Sequence, residues 1–178
     1  INQRWLKKIL EHDIADKNFL RYISRFLKSG IVENGAILES DKGTPQGGQI
    51  SPILANVYLH YVLDLWCERI LKQYVRGEIY YVRYADDFLL MFQYEEEAKR
   101  VLELLRTRLA KFGLEVAEDK TRILPIGRFK GTKEDFDFLG FTFFNTKTRG
   151  GKYRLGVRTS KKKQKMKKQT AKAWLKTR

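Results

Sequence analysis

Two adjacent aspartates, Asp86 and Asp87, are the residues whose type and spacing most directly suggest chemistry. They lie between two β-prone apolar segments, residues 79–84 and 88–92, where a hairpin would turn. Neighbouring carboxylates repel each other by roughly 4 kcal/mol at ~4 Å and an effective dielectric constant of ~20. A divalent cation such as Mg²⁺, which takes carboxylate and phosphate oxygens as ligands, would relieve this repulsion. The sequence therefore predicts either half of a phosphoryl-transfer site or a plain turn, because aspartate is also a good turn former.

Helices are predicted before and after this hairpin. Apolar residues recur at helical spacing in residues 5–14, 19–27 and 95–111. Ser51 followed by Pro52 predicts a further helix over residues 52–74, with the Ser51 hydroxyl as its N-cap. Between these helices, residues 31–42 are expected to form a loop or a short hairpin.

Extended segments follow, and they precede a basic end. Residues 136–144 alternate apolar and other side chains, which predicts a strand, and residues 152–157 are its expected hairpin partner. From Ser160 onward the chain is rich in lysine, with Met166 and Trp174 on one helical face, so a helix is predicted there. This order of elements indicates an α+β fold with an antiparallel sheet packed on helices.

The net charge of +15 is concentrated at the C-terminal end. After Asp137 there is no acidic residue, while the remaining 41 positions carry 14 lysines and arginines. Such a segment binds phosphate polymers by releasing counterions, without sequence specificity. The alternatives are a solubilising tail and, with less support from the few large apolar residues, an anionic membrane surface.

Composition excludes several other classes of protein. No apolar run approaches the ~20 residues of a membrane-spanning helix, so no membrane partner is expected, and a cytoplasmic location fits best. One cysteine, Cys67, cannot make a disulfide framework, and two histidines make a zinc site a poor expectation. Because the chain begins in helix-forming sequence without a methionine, it is interpreted as a fragment of a longer parent protein.

Four blocks of sequence stand out together. They are GTPQGGQISPILANVYLH at residues 43–60, YADD at 84–87, GLEVAEDKTRI at 113–123 and FLGF at 138–141. In type, order and spacing they resemble motifs B, C, D and E of the reverse transcriptases of the group II intron class, over nearly the whole chain. The resemblance implies a polymerase palm fold, with residues 1–159 as a partial palm and residues 160–178 as the start of the thumb.

The resemblance implies catalytic roles for residues of motifs C and D. Asp86 would bind catalytic Mg²⁺ with Asp87 beside it, in a two-metal site that activates the primer 3′ hydroxyl and stabilises the departing pyrophosphate. Tyr84 would lie under the primer terminus, with the small Ala85 next to the primer strand. Lys120 would protonate the pyrophosphate, although a surface lysine paired with Glu118 or Asp119 is an equal alternative.

Substrate-binding roles are implied for motifs B and E. Gly47 and Gly48 would let the backbone approach the nucleotide and template closely, because they lack Cβ. The Leu139-Gly140 pair would form a tight turn that grips the primer backbone. The further implied substrate-binding residues are Pro45, Gln46 and Asn56. The implied partners are an RNA template, a DNA primer, a deoxynucleoside triphosphate and structured intron RNA.

The first metal-binding aspartate of this class belongs to motif A, which precedes the helix that residues 2–10 resemble. Without it we expect the isolated chain to have no polymerase activity. The motif A strand would also lie beside the Asp-Asp hairpin in the palm sheet, so its absence would leave unpaired strand edges. We therefore expect a dimer, or pairing with the missing N-terminal segment.

Two other functions fit the same residues. One is an RNA-binding maturase scaffold without chemistry, although a pure binder has no need for two repelling carboxylates. The other keeps polymerase chemistry in a retron, diversity-generating or CRISPR-associated reverse transcriptase. Flanking domains would be needed to distinguish these enzymes from the group II class.

Overall fold

The computed structural model describes residues 1–28, 31–33, 36–38, 50–128 and 133–176. They form helices and antiparallel strands, which confirms the predicted α+β class. The chain divides into two compact units, Ile1–Thr121 (unit 1) and Arg122–Arg178 (unit 2). Each unit is described by itself below. Among the described residues, no helix has the length and apolar character needed to cross a membrane.

Unit 1 begins with two capped amphipathic helices, α1 (Gln3–Asp13) and α2 (Lys17–Lys28). The Asn2 side chain accepts hydrogen bonds from the backbone N–H groups of the first turn of α1, at 3.0 and 3.2 Å. Asp16 does the same for α2, at 2.8 and 3.1 Å. These caps satisfy N–H groups that have no partner within the helix. The helices bury the apolar stripe that the sequence predicts, with Leu6, Ile9, Leu10, Ile23 and Leu27 inside.

The third helix, α3 (Ser51–Leu59), continues beyond its regular part through wider turns. Two π-helical segments follow, His60–Asp64 and Trp66–Ile70, and a 3₁₀ turn, Leu71–Gln73, ends the run. The prediction of a helix over residues 52–74 is therefore confirmed in its extent, but the segment is not a regular α-helix throughout. π-helical turns are rare and are often found at functional sites.

The prediction that Ser51 is the N-cap of α3 is wrong. The cap is Ile50, whose backbone is already helical and whose carbonyl accepts hydrogen bonds from Ile53 and Leu54 at 3.1 and 3.0 Å. Ser51 is therefore the first residue of α3 rather than the residue before it. Pro52 lies in the first turn, where a missing backbone N–H costs little.

Among the described residues of unit 1, two hairpins and a long helix complete the regular structure. The predicted short hairpin is present as β1 (Ile31–Glu33) and β2 (Ala36–Leu38). The Asp-Asp hairpin consists of β3 (Ile79–Tyr84) and β4 (Asp87–Phe92), and α4 (Glu95–Lys111) follows with the predicted bounds. One face of the β3–β4 hairpin packs against the core formed by α1, α3 and α4. That core fixes the base of the hairpin while its tip stays exposed.

Unit 2 is a three-stranded antiparallel sheet followed by a basic helix. The strands β5 (Asp135–Phe138), β6 (Phe141–Lys147) and β7 (Tyr153–Thr159) pair in the order β5-β6-β7. The prediction of one strand over residues 136–144 is wrong, because a turn at Leu139 and Gly140 divides it. The expected partner strand at residues 152–157 is confirmed as β7. The helix α5 (Lys161–Lys176) is also confirmed, and none of its side chains is buried.

Cys67 is expected to react very slowly with a thiol reagent such as DTNB in the folded chain. Its side chain is buried, and desolvation, reinforced by the negative charge of Asp64, raises its pKa from 9.0 to about 12. Since the thiolate is the reactive form, this pKa leaves about a thousandth of the ordinary thiolate fraction at neutral pH. The rate of DTNB reaction in buffer and in denaturant measures this difference. Similar rates in both would contradict the burial of Cys67.

Candidate active site at the β3–β4 hairpin

The tip of the β3–β4 hairpin is a two-residue turn formed by Ala85 and Asp86. The strands pair in register from Ile79 opposite Phe92 to Tyr84 opposite Asp87. Ala85 has a φ of 54°, and a positive φ at the first of two central residues is the pattern of a type II′ turn. Asp87 is thus the first residue of β4 rather than part of the turn. Its strand position gives the second carboxylate a fixed direction, on the same face as the Tyr84 ring.

Both carboxylates are exposed at this tip. Within the described residues neither the Asp86 nor the Asp87 carboxylate has a hydrogen bond or an ion pair, and no cluster of three acidic, histidine or cysteine ligands is present. Free carboxylate oxygens open to solvent fit Mg²⁺, which binds through one or two carboxylates and completes its shell with water and phosphate oxygens. The residues present therefore fit the predicted cation, as a part of its ligand set.

Behind the tip, Arg83 forms a hydrogen-bonded cluster with the helical run that follows α3. Its Nε and Nη2 donate to the two oxygens of Asp64, both at 2.6 Å, in a bidentate pair. Its Nη1 donates to the Asn56 side-chain oxygen and to the Ala85 backbone carbonyl, both at 2.8 Å. The Arg83 guanidinium thus joins the helix to the turn that carries Asp86.

Asp64 is the centre of this cluster. It also accepts a hydrogen bond from the Tyr81 hydroxyl at 2.7 Å, and Nδ1 of His60 lies 3.3 Å from its second oxygen. Burial raises the pKa of Asp64, but the hydrogen bonds from Arg83 and Tyr81 outweigh it, so this pKa lies below its ordinary value. In turn, burial and the hydrogen bond to Asp64 raise the pKa of Tyr81. The carboxylate is therefore ionised at neutral pH and pairs with a permanent cation.

Arg83 and Asp64 are not among the site residues predicted from the sequence. A signal for Arg83 was present, because residues 79, 81 and 83 share the face of β3 that packs on the core. A charged residue on such a face needs a partner nearby. No comparable signal marks Asp64, whose position depends on the winding of a helix that precedes the hairpin.

Asn56 and Tyr84 occupy different environments. Asn56 accepts from Arg83, and its side-chain amide donates to the Pro52 carbonyl at 3.1 Å, so it is part of the cluster behind the tip. Tyr84 lies on the outer face of the hairpin with 66% of its surface exposed. The ring is therefore available to a ligand. The nucleotide contact of Asn56 and the primer contact of Tyr84 stay predictions.

Lys120 lies in an exposed turn of unit 1, where its backbone N–H donates to the Ala117 carbonyl at 3.0 Å. Of the two acidic partners considered for it, Glu118 is bound by Arg106 through hydrogen bonds of 3.0 and 2.7 Å. In the described part of the chain Lys120 has no ion pair. Its ammonium is thus not neutralised by a carboxylate there, and its catalytic role stays a prediction.

Leu139 and Gly140 form the tight turn between β5 and β6, with φ values of 51° and 79°. Two successive positive φ values are the pattern of a type I′ hairpin turn. The Lys163 side chain lies against this turn, because a Cβ added to Gly140 would be 2.7 Å from its Cδ. The turn is therefore compact, as the resemblance implies, and its contact with a primer stays a prediction. Pro45, Gln46, Gly47 and Gly48 lie outside the described residues.

This combination of a carboxylate-bearing hairpin, a helical core and a second antiparallel sheet agrees with the family to which the sequence can be assigned. The chain belongs to the reverse transcriptase (RNA-dependent DNA polymerase) family, which it matches over residues 2–143. The resemblance found in the four motifs is thereby confirmed at the level of the family.

Individual relatives share parts of this chain. It is 33% identical over 147 residues to the group II intron-encoded protein LtrA of Lactococcus lactis subsp. cremoris, covering 71% of this chain and 24% of LtrA. It is 26% identical over 188 residues to protein YkfC of Escherichia coli, covering 87% and 46% of the two chains. Telomerase reverse transcriptase of Takifugu rubripes is 23% identical over 116 residues, covering 65% and 10%. The chain spans less than half the length of each of these relatives.

Proposed function

We propose that the chain is the palm region of a reverse transcriptase of the group II intron type, and that the β3–β4 tip is part of its nucleotidyl-transfer site. One observation carries this proposal: two adjacent, exposed carboxylates, without side-chain partners among the described residues, lie at the tip of a β-hairpin in a chain of the reverse transcriptase family. The likeness to a group II intron-encoded protein supports the subclass. Residues 1–159 are assigned to the palm and residues 160–178 to the start of the thumb.

The reaction would join the primer 3′ oxygen to the α-phosphorus of a deoxynucleoside triphosphate and release pyrophosphate. Two bound Mg²⁺ ions would activate the 3′ hydroxyl and neutralise charge on the departing group. Asp86, with Asp87 beside it, would hold the cations at the exposed tip. The Tyr84 ring would support the primer terminus, and Lys120 would give a proton to the pyrophosphate as the phosphorus–oxygen bond breaks. Gln46, Gly47 and Asn56 would border the nucleotide.

Primer extension by the parent protein on an RNA template tests this function. We expect incorporation of the complementary deoxynucleotide in Mg²⁺, loss of incorporation with EDTA, and recovery when Mg²⁺ is restored. A DNA template of the same sequence serves as the comparison for template class. Absence of templated incorporation by a folded, RNA-binding parent protein would overturn the proposal.

The isolated chain is proposed to be inactive. Within the described residues the site offers two adjacent carboxylates, and the motifs imply a further aspartate that completes the coordination of the cations. Addition of the parent protein's N-terminal segment in trans is the matched comparison. Templated incorporation by the purified 178-residue chain alone would contradict this part of the proposal.

The β3–β4 hairpin also supports a proposal about association. In the described part of the chain it is a two-stranded sheet, and its outer face exposes Tyr80, Val82 and Met91. Unpaired strand edges next to exposed apolar side chains favour pairing with another segment. We propose that the isolated chain dimerises or binds the N-terminal segment of the parent protein. Sedimentation as a monomer, unchanged by that segment, would contradict this.

A second candidate function is RNA binding by the parent as a maturase, and the helix α5 favours it. The helix carries eight lysines and no acidic residue, and its side chains are all outside the core. A cationic helix of this kind binds RNA through its phosphates. The same helix serves a thumb that follows a template–primer duplex, so the two functions share this surface.

Neutralising one face of α5 is expected to weaken the salt dependence of RNA binding. Lys165, Lys168 and Lys172 lie together on one face of α5. Replacing all three with glutamine removes three possible phosphate contacts. The slope of log K against log salt should decrease in magnitude by about 2–3, since each contact contributes roughly 0.7–0.9. Filter binding or fluorescence anisotropy across a salt series measures the slope.

The matched control replaces three exposed lysines of unit 1, Lys17, Lys72 and Lys111, with glutamine. This change removes the same charge, and it should leave the slope close to that of the original chain. Equal slopes for the α5 variant and the original chain would show that α5 is not the RNA-binding element.

A further inference from the structure

We propose that Arg83, held by Asp64, is a positioning residue that sets the direction of the Asp86 carboxylate. The proposal deepens the function proposed above and rests on it for the role of Asp86. It assigns a task to a half-buried ion pair that neither the motif resemblance nor the family assignment explains. Three features support it: the anchoring of Arg83, the turn that Arg83 contacts and the helix that holds it.

Arg83 is fixed at both ends of its guanidinium. Its side chain is only 12% exposed and that of Asp64 only 16%, so the pair is largely shielded from water. The bidentate bond to Asp64 fixes the plane of the guanidinium, because two parallel hydrogen bonds allow little rotation. Nη1 is then aimed in one direction, where it meets Asn56 and Ala85.

The contact with Ala85 lies at the one place where the tip needs support. Ala85 adopts a left-handed φ of 54°, which a residue with a Cβ holds only when its surroundings impose it. The carbonyl that accepts from Arg83 belongs to the peptide bond between Ala85 and Asp86. Because that peptide unit is planar, fixing its carbonyl also fixes the N–H and Cα of Asp86. The direction of the Asp86 side chain follows from this backbone position.

The helical run places the anchor of Arg83 opposite the turn. Asn56, His60 and Asp64 are spaced four residues apart, and in a regular α-helix each step of four advances about 40° beyond a full turn. The π-helical segment from His60 to Asp64 has a wider turn, so it compensates this advance and keeps Asn56 and Asp64 on one side. Arg83 therefore contacts both, and its guanidinium links the motif B helix to the motif C turn.

A purely structural ion pair would not need this arrangement. Asp64 alone neutralises Arg83, and lysine would supply the same charge to the same carboxylate. The planar fork of arginine lets one side chain hold Asp64 and donate to Ala85 in a fixed direction at the same time, which lysine cannot do. Arg83→Lys therefore removes the positioning contact while keeping the charge, which makes it the decisive substitution.

The experiment measures Mn²⁺ binding at the tip of the 178-residue chain by paramagnetic broadening of the backbone amide signals of residues 84–88. The chain as given is compared with Arg83→Lys. We expect Mn²⁺ to broaden these signals in both, with an apparent dissociation constant about 10- to 100-fold higher in the variant, the usual effect of removing a partner that orients a metal ligand. The amide shifts of Ala85 and Asp86 should also change before Mn²⁺ is added.

Arg108→Lys is the matched control. Arg108 is a half-buried arginine that donates to the carbonyls of Val62 and Tyr61 on the same helical run, at 2.9 and 3.3 Å. It has no contact with the tip among the described residues, so its substitution should lower stability without changing Mn²⁺ affinity. Asp64→Asn is the second variant if Arg83→Lys does not fold, because it loosens the anchor and leaves Arg83 present.

The outcomes separate this inference from the proposed function. Unchanged Mn²⁺ affinity and unchanged amide shifts in Arg83→Lys or Asp64→Asn would overturn the positioning role and leave the polymerase assignment intact. Absence of Mn²⁺ broadening in the original chain would count against the proposed metal site, and the amide shifts would then decide on positioning alone. In the parent protein, Arg83→Lys should lower kcat per active site while KM for the nucleotide changes little, whereas a merely structural defect would lower the active fraction and leave kcat per active site unchanged.

Discussion

Replacing Asp86 with alanine is expected to abolish primer extension by the parent protein, with a decrease in kcat of about 10³-fold or more. Under the proposed mechanism the substitution would remove a metal ligand and with it several kcal/mol of charge stabilisation in the transition state, and each 1.36 kcal/mol corresponds to a factor of ten in rate. The exposed position of Asp86 means that the folded structure should survive the substitution. Single-turnover extension of a radiolabelled primer on RNA measures the effect.

Two further variants make this result specific. Asp86→Asn keeps the size of the side chain but removes its charge, so a metal ligand should lose nearly as much activity as in the alanine variant. Glu115→Ala removes another exposed carboxylate of unit 1 and should leave kcat close to the original value. A kcat for Asp86→Ala within tenfold of the original would refute the assignment of the tip as the reaction centre.

Replacing Tyr58 with alanine is expected to destabilise unit 1 by about 3–5 kcal/mol, the cost of removing a large aromatic side chain from a core. Tyr58 is fully buried on α3, and its hydroxyl donates to the Phe112 carbonyl, at the end of α4, at 2.5 Å. Since a domain has a free energy of unfolding of only about 5–15 kcal/mol, this loss is a large fraction of the total. Urea denaturation followed by circular dichroism measures the change.

Tyr58→Phe is the control that isolates the hydroxyl group. It keeps the ring in the core and leaves the Phe112 carbonyl without that donor, so a loss of about 1–3 kcal/mol is expected. Fluorescence of Trp5, whose ring centroid lies 4.8 Å from that of Phe112, reports on the same region. Equal stabilities of the alanine and phenylalanine variants would show that packing of the Tyr58 ring contributes little.

Most helices and hairpins were predictable because their signals are local. The helix α4 has the predicted bounds because both of its ends are marked in the sequence: three glutamates begin it and Gly113 follows it. Between these ends its apolar residues recur at helical spacing. The turn at Leu139 was not predicted from alternation, because an apolar residue in a left-handed conformation looks like one more strand position. The π-helical segments were not predictable, because their apolar residues also fit the spacing of a regular α-helix.

The candidate site likewise contains some residues that the sequence predicts and others that it does not. Asp86, Asp87 and Tyr84 were identified by residue type and motif, and the hairpin that carries them follows from β propensity. The partnership of Arg83 with Asp64 was not predictable, because it joins residues 19 positions apart and depends on the winding of the intervening helix. Non-local contacts of this kind require the fold, which single-sequence patterns do not specify.

Alanine is not the residue type with the lowest conformational energy at position 85. Glycine would adopt the left-handed φ without a steric penalty, but it would also allow the peptide unit before Asp86 many other directions. Alanine reduces the number of backbone conformations available at this position, in the unfolded chain as well as in the folded one. Alanine at this position therefore makes the turn slightly less stable, but it restricts the directions that the Asp86 carboxylate can take. Such an exchange of stability for a precisely placed side chain is common at functional sites.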